Sequence, residues 1–162
     1  MSIDSPVGAL LLAGSDAGLH LIEFENPRHP MAQCEQWQAG ECDAIRVTAH
    51  QLHEYFAGKR HEFDLPLAPR GTPFQMDVWH TLASIPYGRT ITYAQLANQV
   101  GRPSAVRAVG AANGRNPLPI VLPCHRVIGS DGSLTGFGGG LPTKEFLLRM
   151  EGALPRAADL FG

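Results

Sequence analysis

The sequence predicts an α/β fold of the α+β type: a small antiparallel-sheet domain packed on a mainly helical domain that holds a helix-turn-helix and a candidate reactive cysteine. Apolar runs cluster at the front around a short Gly-Ser-Asp-Ala turn, helix-opening signals cluster at the back, and Pro66, Pro69 and Gly71 punctuate the chain between them. The expected domains are therefore residues 1–70 and 71–162.

Val7–Ala13 and Gly18–Glu25 flank Gly14-Ser15-Asp16-Ala17 and read as a β-hairpin. A polar stretch, Asn26–Gly40, follows. In Asp43–Ala57 the apolar Ile45, Ala49, Leu52 and Phe56 recur at helical spacing, and Gly58 stops the helix. Glu62–Leu67 is expected to return as a third strand. Thr72-Pro73 then opens a helix, with Thr as N-cap and Pro where its missing N–H is harmless. Phe74, Val78, Leu82 and Ile85 form its apolar stripe, and Pro86-Tyr87-Gly88 ends it. Thr92 and Gln95 fit a capping box for a helix running to about Val100. Gly101-Arg102-Pro103 is a turn, and Ser104 is expected to cap the next helix, Ala105 to about Asn113. Two short helices joined by a tight turn make a helix-turn-helix candidate; a plain helical corner is the alternative.

The composition, 44% hydrophobic and 17% charged, fits a globular chain rather than a disordered one. No run approaches the roughly 20 apolar residues of a membrane span. The opening Met-Ser-Ile-Asp-Ser-Pro lacks a basic region followed by an apolar run, and three cysteines suit a reducing compartment, so a cytoplasmic location is expected. Cys34 and Cys42 form no CxxC, and with His20 and His29 they give no metal-ligand spacing; no metal or other cofactor is expected. Residues 1–70 carry five Lys or Arg against ten Asp or Glu, and residues 71–152 carry seven against four. Any polyanion would therefore meet the back half.

The chemistry concentrates in Asn116-Pro117-Leu118-Pro119-Ile120-Val121-Leu122-Pro123-Cys124-His125-Arg126-Val127. Ile120–Leu122 reads as a short buried strand that Pro123 ends, leaving Cys124 and His125 where a strand becomes a turn. A free thiol is only about a few per cent thiolate at neutral pH, and a neighbouring imidazole raises that fraction. Adjacent side chains on an extended chain point apart, so contact between the two needs the turn or a bridging water; a buried structural Cys beside a surface His is the plainer reading of such a pair. Thr135-Gly136-Phe137-Gly138-Gly139-Gly140 lets backbone approach a ligand closely, with Phe137 as an apolar wall; a flexible connector is the plainer reading. In the final helix, Thr143–Glu151, the residues Phe146, Leu147 and Met150 form the apolar side. Glu151 ends it against the helix dipole, which a partner such as His125 would explain; a plain solvated Glu is the alternative. Helix 105–113 is nearly all small residues, with Arg107 as its single long side chain. Such a helix fits closely against another helix or a DNA groove wall, where Arg107 would reach in among bases.

Pro123-Cys124-His125-Arg126-Val127, with Asn116-Pro117 upstream and the Gly-rich loop downstream, resembles the O6-alkylguanine-DNA alkyltransferases, or methylated-DNA–protein-cysteine methyltransferases. The likeness extends through Phe74-Gln75-x3-Trp79, Ile85-Pro86-Tyr87-Gly88, Thr92-Tyr93, Arg107-Ala108-Val109-Gly110 and Leu147-x3-Glu151-Gly152. It is weaker at the front, in Asp4-Ser5-Pro6-Val7-Gly8 and Tyr55-Phe56-x-Gly58, where it implies a ribonuclease H-like domain.

The resemblance implies DNA repair as a single-turnover enzyme. A base alkylated at guanine O6, or at thymine O4, would be flipped out of double-stranded DNA and its alkyl group moved irreversibly to Cys124. Glu151 would orient His125, which would deprotonate Cys124 through a water, and Tyr93 would donate to the leaving base. Val127, Phe137, Gly138, Gly139 and Asn116 would shape the alkylguanine pocket, with Asn116 tying its turn to the recognition helix. Arg107, Tyr93, Ser104, Ala105, Ala108, Gly110 and Asn113 would meet DNA. The protein would act as a monomer with no obligate protein partner. Phe137 stands where many relatives have Tyr and Gly138 where some have Ser, which bears on pocket polarity and tolerance of bulky alkyl groups.

Two other classes compete. A non-catalytic binder of alkylated DNA resembles this family but lacks the reactive cysteine, whereas Cys124, His125 and Glu151 are all present. A cysteine hydrolase needs no DNA-binding helices, and its local signatures are missing around Cys124.

Overall fold

The computed structural model describes residues 1–25 and 42–154. Cys34 and His29 lie outside them. A three-stranded antiparallel sheet, in the order β1 (Ser2–Ile3), β2 (Leu10–Ser15), β3 (Gly18–Phe24), opens the chain. The expected hairpin is β2–β3, with a tighter turn than read from sequence: Ser15 pairs with Gly18, and the register shifts at Ala13/Gly14. Gly18 is obligatory, since its φ is +131° and a Cβ there would stand 2.6 Å from the Pro66 carbonyl oxygen.

The third strand is β1, not Glu62–Leu67. That later segment makes only an isolated parallel bridge, Leu19 with Leu67, because Pro66 and Pro69 remove donors from it. Helix α1 (Asp43–Phe56) buries Ile45, Ala49, Leu52 and Tyr55 and packs on β2 and β3.

The back half is helical. Helix α2 (Pro73–Leu82) begins in a full capping box between Thr72 and Gln75, and α3 (Tyr93–Val100) in another between Thr92 and Gln95. Each box satisfies two otherwise orphaned N–H groups. Helix α4 (Val106–Gly114) completes the helix-turn-helix with α3 across Gly101, which takes the left-handed φ of +82°. Ser104 does not cap it: Ala105 is the N-cap, with no side-chain bond. The Trp79 indole donates to the Ala112 carbonyl at 2.8 Å and locks α2 to α4. A two-residue parallel pair, β4 (Ile91–Thr92) with β5 (Val127–Ile128), sets α3 beside the cysteine turn. Helix α5 (Leu141–Met150) closes the described chain. It buries Leu147 and Leu148, while Phe146 is exposed.

One continuous apolar core runs from Leu10 and Leu12 through Val78, Trp79 and Leu96 to Leu122 and Leu147. The two halves are stitched where Ile22 N–H donates to the Pro117 carbonyl at 2.9 Å, within the turn that precedes Cys124. No helix among the described residues is long and apolar enough to cross a membrane.

Candidate active site

Residues 120–122 form a turn rather than the expected strand. Pro117, Pro119 and Pro123 remove donors at alternate positions, so no ladder can form. The Asn116 side chain closes the loop instead, donating from Nδ2 to the Leu122 carbonyl at 2.7 Å and accepting from Leu118 N–H at 3.0 Å. Its link to α4 runs through backbone: Asn116 N–H donates to the Asn113 carbonyl at 3.3 Å. Ile120 is held at φ +74°, a left-handed conformation that costs a β-branched residue about 1–2 kcal/mol.

The chain leaves this loop into a single 3-10 turn, Cys124–Arg126. The turn carries three buried side chains in a row, and the second and third converge on the end of α5. Glu151 Oε2 lies 2.8 Å from His125 Nε2. Arg126 forks onto the same carboxylate, Nε to Oε1 at 2.8 Å and Nη2 to Oε2 at 2.9 Å, while its Nη1 donates to the Ile85 carbonyl. Tyr55, from α1, donates its hydroxyl to Oε2 at 2.5 Å. Burial pushes the Glu151 carboxyl up, but the hydrogen bonds from His125 and Arg126 outweigh it and hold the group at about 2. Glu151 is thus anionic, so His125 Nε2 carries the proton and donates it.

That tautomer leaves His125 Nδ1 as the lone-pair nitrogen. It is buried and has no hydrogen-bond partner among the described residues. Burial holds the imidazole below its ordinary 6.5, with Glu151 pulling the other way. Burial also pushes the Cys124 thiol up to about 11, partly offset by a hydrogen bond from the Asn116 side chain and by the charge of Lys144. The resting site therefore holds a protonated thiol and a neutral base.

The thiol lines one of two neighbouring spaces. A narrow cavity of about 40 Å³ holds Cys124 among Phe24, Asn113, Asn116, Pro119 and Phe137. It shares Phe137 and Gly138 with an open groove of about 520 Å³ lined by Tyr93, Gly110, Ala111 and Thr135. The Tyr93 hydroxyl and Thr135 are joined by bonds of 3.2 Å. Phe137 is fixed edge-on against Phe24 at 5.3 Å, and Gly138 has open space where a Cβ would be. Lys144 is wholly buried and staples the loop, donating to the Val127 carbonyl at 2.6 Å and the Thr135 carbonyl at 2.8 Å. Burial lowers its ammonium to about 8.

The small-residue helix turns Arg107, Ala108 and Ala111 outward, with Ser104 exposed just before it and Ala105 half-buried. A Cβ on Gly110 would lie 3.5 Å from the Tyr93 ring, so the helix approaches the groove wall as closely as its small residues allow. Three expected site residues sit elsewhere. Asn113 is 3% exposed and lines the cysteine cavity, on the opposite side of α4 from Arg107. Val127 is fully buried, its N–H given to the Cys124 carbonyl and its own carbonyl to Lys144. Gly139 serves packing, since a Cβ there would meet the Phe24 ring at 2.9 Å. Cys42 is a free thiol and the N-cap of α1, and His20 spends its ring bonding Ser15 and the Ala68 carbonyl. No group of three or more potential metal ligands occurs among the described residues.

Sequence reasoning gave no role to Arg126, Tyr55 or Lys144. Arg126 and Tyr55 lie inside quoted motifs, but nothing local shows that they meet Glu151. Lys144 reads as an ordinary solvated helix residue.

A buried cysteine precedes a carboxylate-held imidazole, and its cavity shares a wall with a groove lined by both helices of the helix-turn-helix. Residues 73–153 match the DNA binding domain of 6-O-methylguanine DNA methyltransferase, and residues 1–69 match its ribonuclease-like domain. A methylated-DNA–protein-cysteine methyltransferase of Methanosarcina acetivorans is 48% identical over 150 residues, covering 93% of this chain and 96% of its own. The crystal structure of Mycobacterium tuberculosis OGT in complex with DNA superposes with a TM-score of 0.86 at 45% identity, covering 93% of this chain and 90% of that one. That of Mycobacterium tuberculosis O6-methylguanine methyltransferase gives 0.81 at 42% identity, covering 99% and 97%. The chain belongs to the 6-O-methylguanine DNA methyltransferase family, the methylated-DNA–protein-cysteine methyltransferases.

Proposed function

We propose that this chain repairs double-stranded DNA by moving the alkyl group of O6-alkylguanine, and of O4-alkylthymine, irreversibly to the sulfur of Cys124. The observation that carries the reading is the free, buried Nδ1 of His125, the residue after Cys124, held in that tautomer by Glu151. The helix-turn-helix seats the duplex with Arg107 probing the minor groove. The damaged base leaves the stack for the groove between Tyr93 and Gly138, at a cost of about a few kcal/mol. His125 takes the thiol proton through one bridging water. The sulfur attacks the alkyl carbon in line as the carbon–oxygen bond breaks, and the Tyr93 hydroxyl protonates the departing base, later recovering a proton from solvent. Because the thiol rests protonated, the nucleophile forms only when base and substrate are both in place. The protein works as a cytoplasmic monomer without a cofactor.

Intact mass spectrometry after mixing with DNA containing O6-methylguanine, followed by peptide mapping, tests this. One methyl group on Cys124, saturating at one equivalent, is the expected result. Cys124→Ala is expected to gain no mass yet retain DNA affinity. Tight retention of lesion DNA without mass gain by the unaltered chain would favour a non-catalytic binder.

A further inference from the structure

Tyr55 belongs to the ribonuclease-like half of the chain, and its hydroxyl ends on the carboxylate that holds the candidate base. The two residues are 96 positions apart in sequence, and Tyr55 is wholly buried. Its ring is fixed by Phe56, Phe63 and Tyr87, with centroids at 5.2, 5.5 and 6.3 Å. A carboxylate offers about four lone-pair sites. Glu151 receives four bonds unevenly: one on Oε1, from Arg126, and three crowded on Oε2, from Arg126, His125 and Tyr55. Arg126 already supplies the countercharge, so Tyr55 is not needed to neutralise the anion. What it adds is a neutral donor on Oε2, the very oxygen that takes the His125 N–H.

We propose that Tyr55 is a positioning residue of the transfer reaction: by occupying Oε2 from the front domain, it limits how tightly Glu151 holds the His125 proton and so keeps Nδ1 free to accept one. This rests on the alkyl-transfer reading above. The titratable and charged groups around the carboxylate are Cys124, His125 and Arg126 from the 3-10 turn, Lys144 from α5, Tyr55 from α1, and Tyr87 after α2, on which His61 stacks at 3.8 Å. Only Tyr55 can be stripped of its bond by deleting one oxygen with the ring left in place.

The sign follows from that geometry. Without the Tyr55 hydroxyl, Oε2 bonds the His125 N–H more strongly, the imidazolium is favoured, and the base is lost to protonation over a wider acid range. The test is Tyr55→Phe, read by ¹⁵N NMR titration of His125 and by single-turnover transfer rate against pH. The His125 midpoint is expected to rise. The rate is expected to fall roughly fivefold near pH ~5.5 and to come within about twofold of the unaltered protein near pH ~8. Placing 3-fluorotyrosine at position 55, a stronger donor, is expected to move both readouts the other way. An unchanged His125 midpoint, or a rate loss equal at every pH, would overturn the proposal. Should Tyr55→Phe not fold, the fluorotyrosine protein keeps the hydroxyl and decides alone. If the unaltered chain transfers no methyl group, the repair reading fails, and the NMR midpoint still tests the action of Tyr55 on His125.

Discussion

On one side of Cys124 the side chains of Tyr55, His125, Arg126 and Glu151 are buried and joined by bonds of 2.5 to 2.9 Å. On the other, Tyr93, Thr135 and Gly138 border an open groove, and the bonds between Tyr93 and Thr135 lengthen to 3.2 Å. Charge-assisted bonds in a dry site hold geometry before any substrate arrives. The groove keeps hydrogen-bonding capacity for a ligand. The carboxylate cluster is held by short bonds among buried groups, and the groove by longer ones at its edge.

The largest disturbance to this contrast comes from Glu151→Gln, which strands the Arg126 cation in the interior. Urea unfolding is expected to show a loss of about 3–5 kcal/mol, and transfer to slow by at least about a hundredfold. The same carboxyl sets an acid limit. Because it is held down in the folded chain, its contribution is present above its ordinary 4.5 and lost as pH falls through about 2. Acid titrations of folding should show that loss in the unaltered chain and lack it in the variant.

Next in size is the resting thiol. Iodoacetamide is expected to modify Cys124 about a hundredfold more slowly at pH ~7 than a peptide thiol, with the rate still climbing toward pH ~11. Fast labelling at neutral pH would mean a preformed thiolate and would blur the difference between the two sides.

Arg107→Ala acts only on the open side. Fluorescence anisotropy with lesion DNA is expected to show about tenfold weaker binding. The salt dependence should stay shallow, because residues 71–152 carry only three more positive than negative side chains.

How much was legible in advance follows the same division. Local signals gave α1, α3 and the start of α2 almost to the residue, since the Thr72 and Thr92 caps and Gly101 are decided within a few positions, while α2 stops at Leu82 and leaves Ile85, read as part of its stripe, beyond the helix. Cys124, His125 and Glu151 were also readable, through a contiguous motif and a helix end that needed a partner. The failures were contacts made over distance. Strand β1 is two residues long, too short to show alternation, and exists because β2 offers an edge. The turn at 120–122 looked like a strand because its residues are apolar, while the prolines and the Asn116 side chain decided otherwise. Asn113 was expected on the DNA face from the family resemblance, and the structure buries it against the cysteine cavity, since sequence alone does not fix the rotation of α4. Tyr55 and Arg126 needed the fold to meet.

The Tyr55–Glu151 bond bears on how such a chain can change over generations. Residues 1–69 and 73–153 match two separate domain families, as though they were exchangeable parts. Yet a front half taken from a distant relative would bring its own residue to position 55 and its own distance to the carboxylate. Chimeras joined near residue 70 should therefore fold more often than they react. On that reading, a change at position 55 of α1 calls for a matching change at the end of α5.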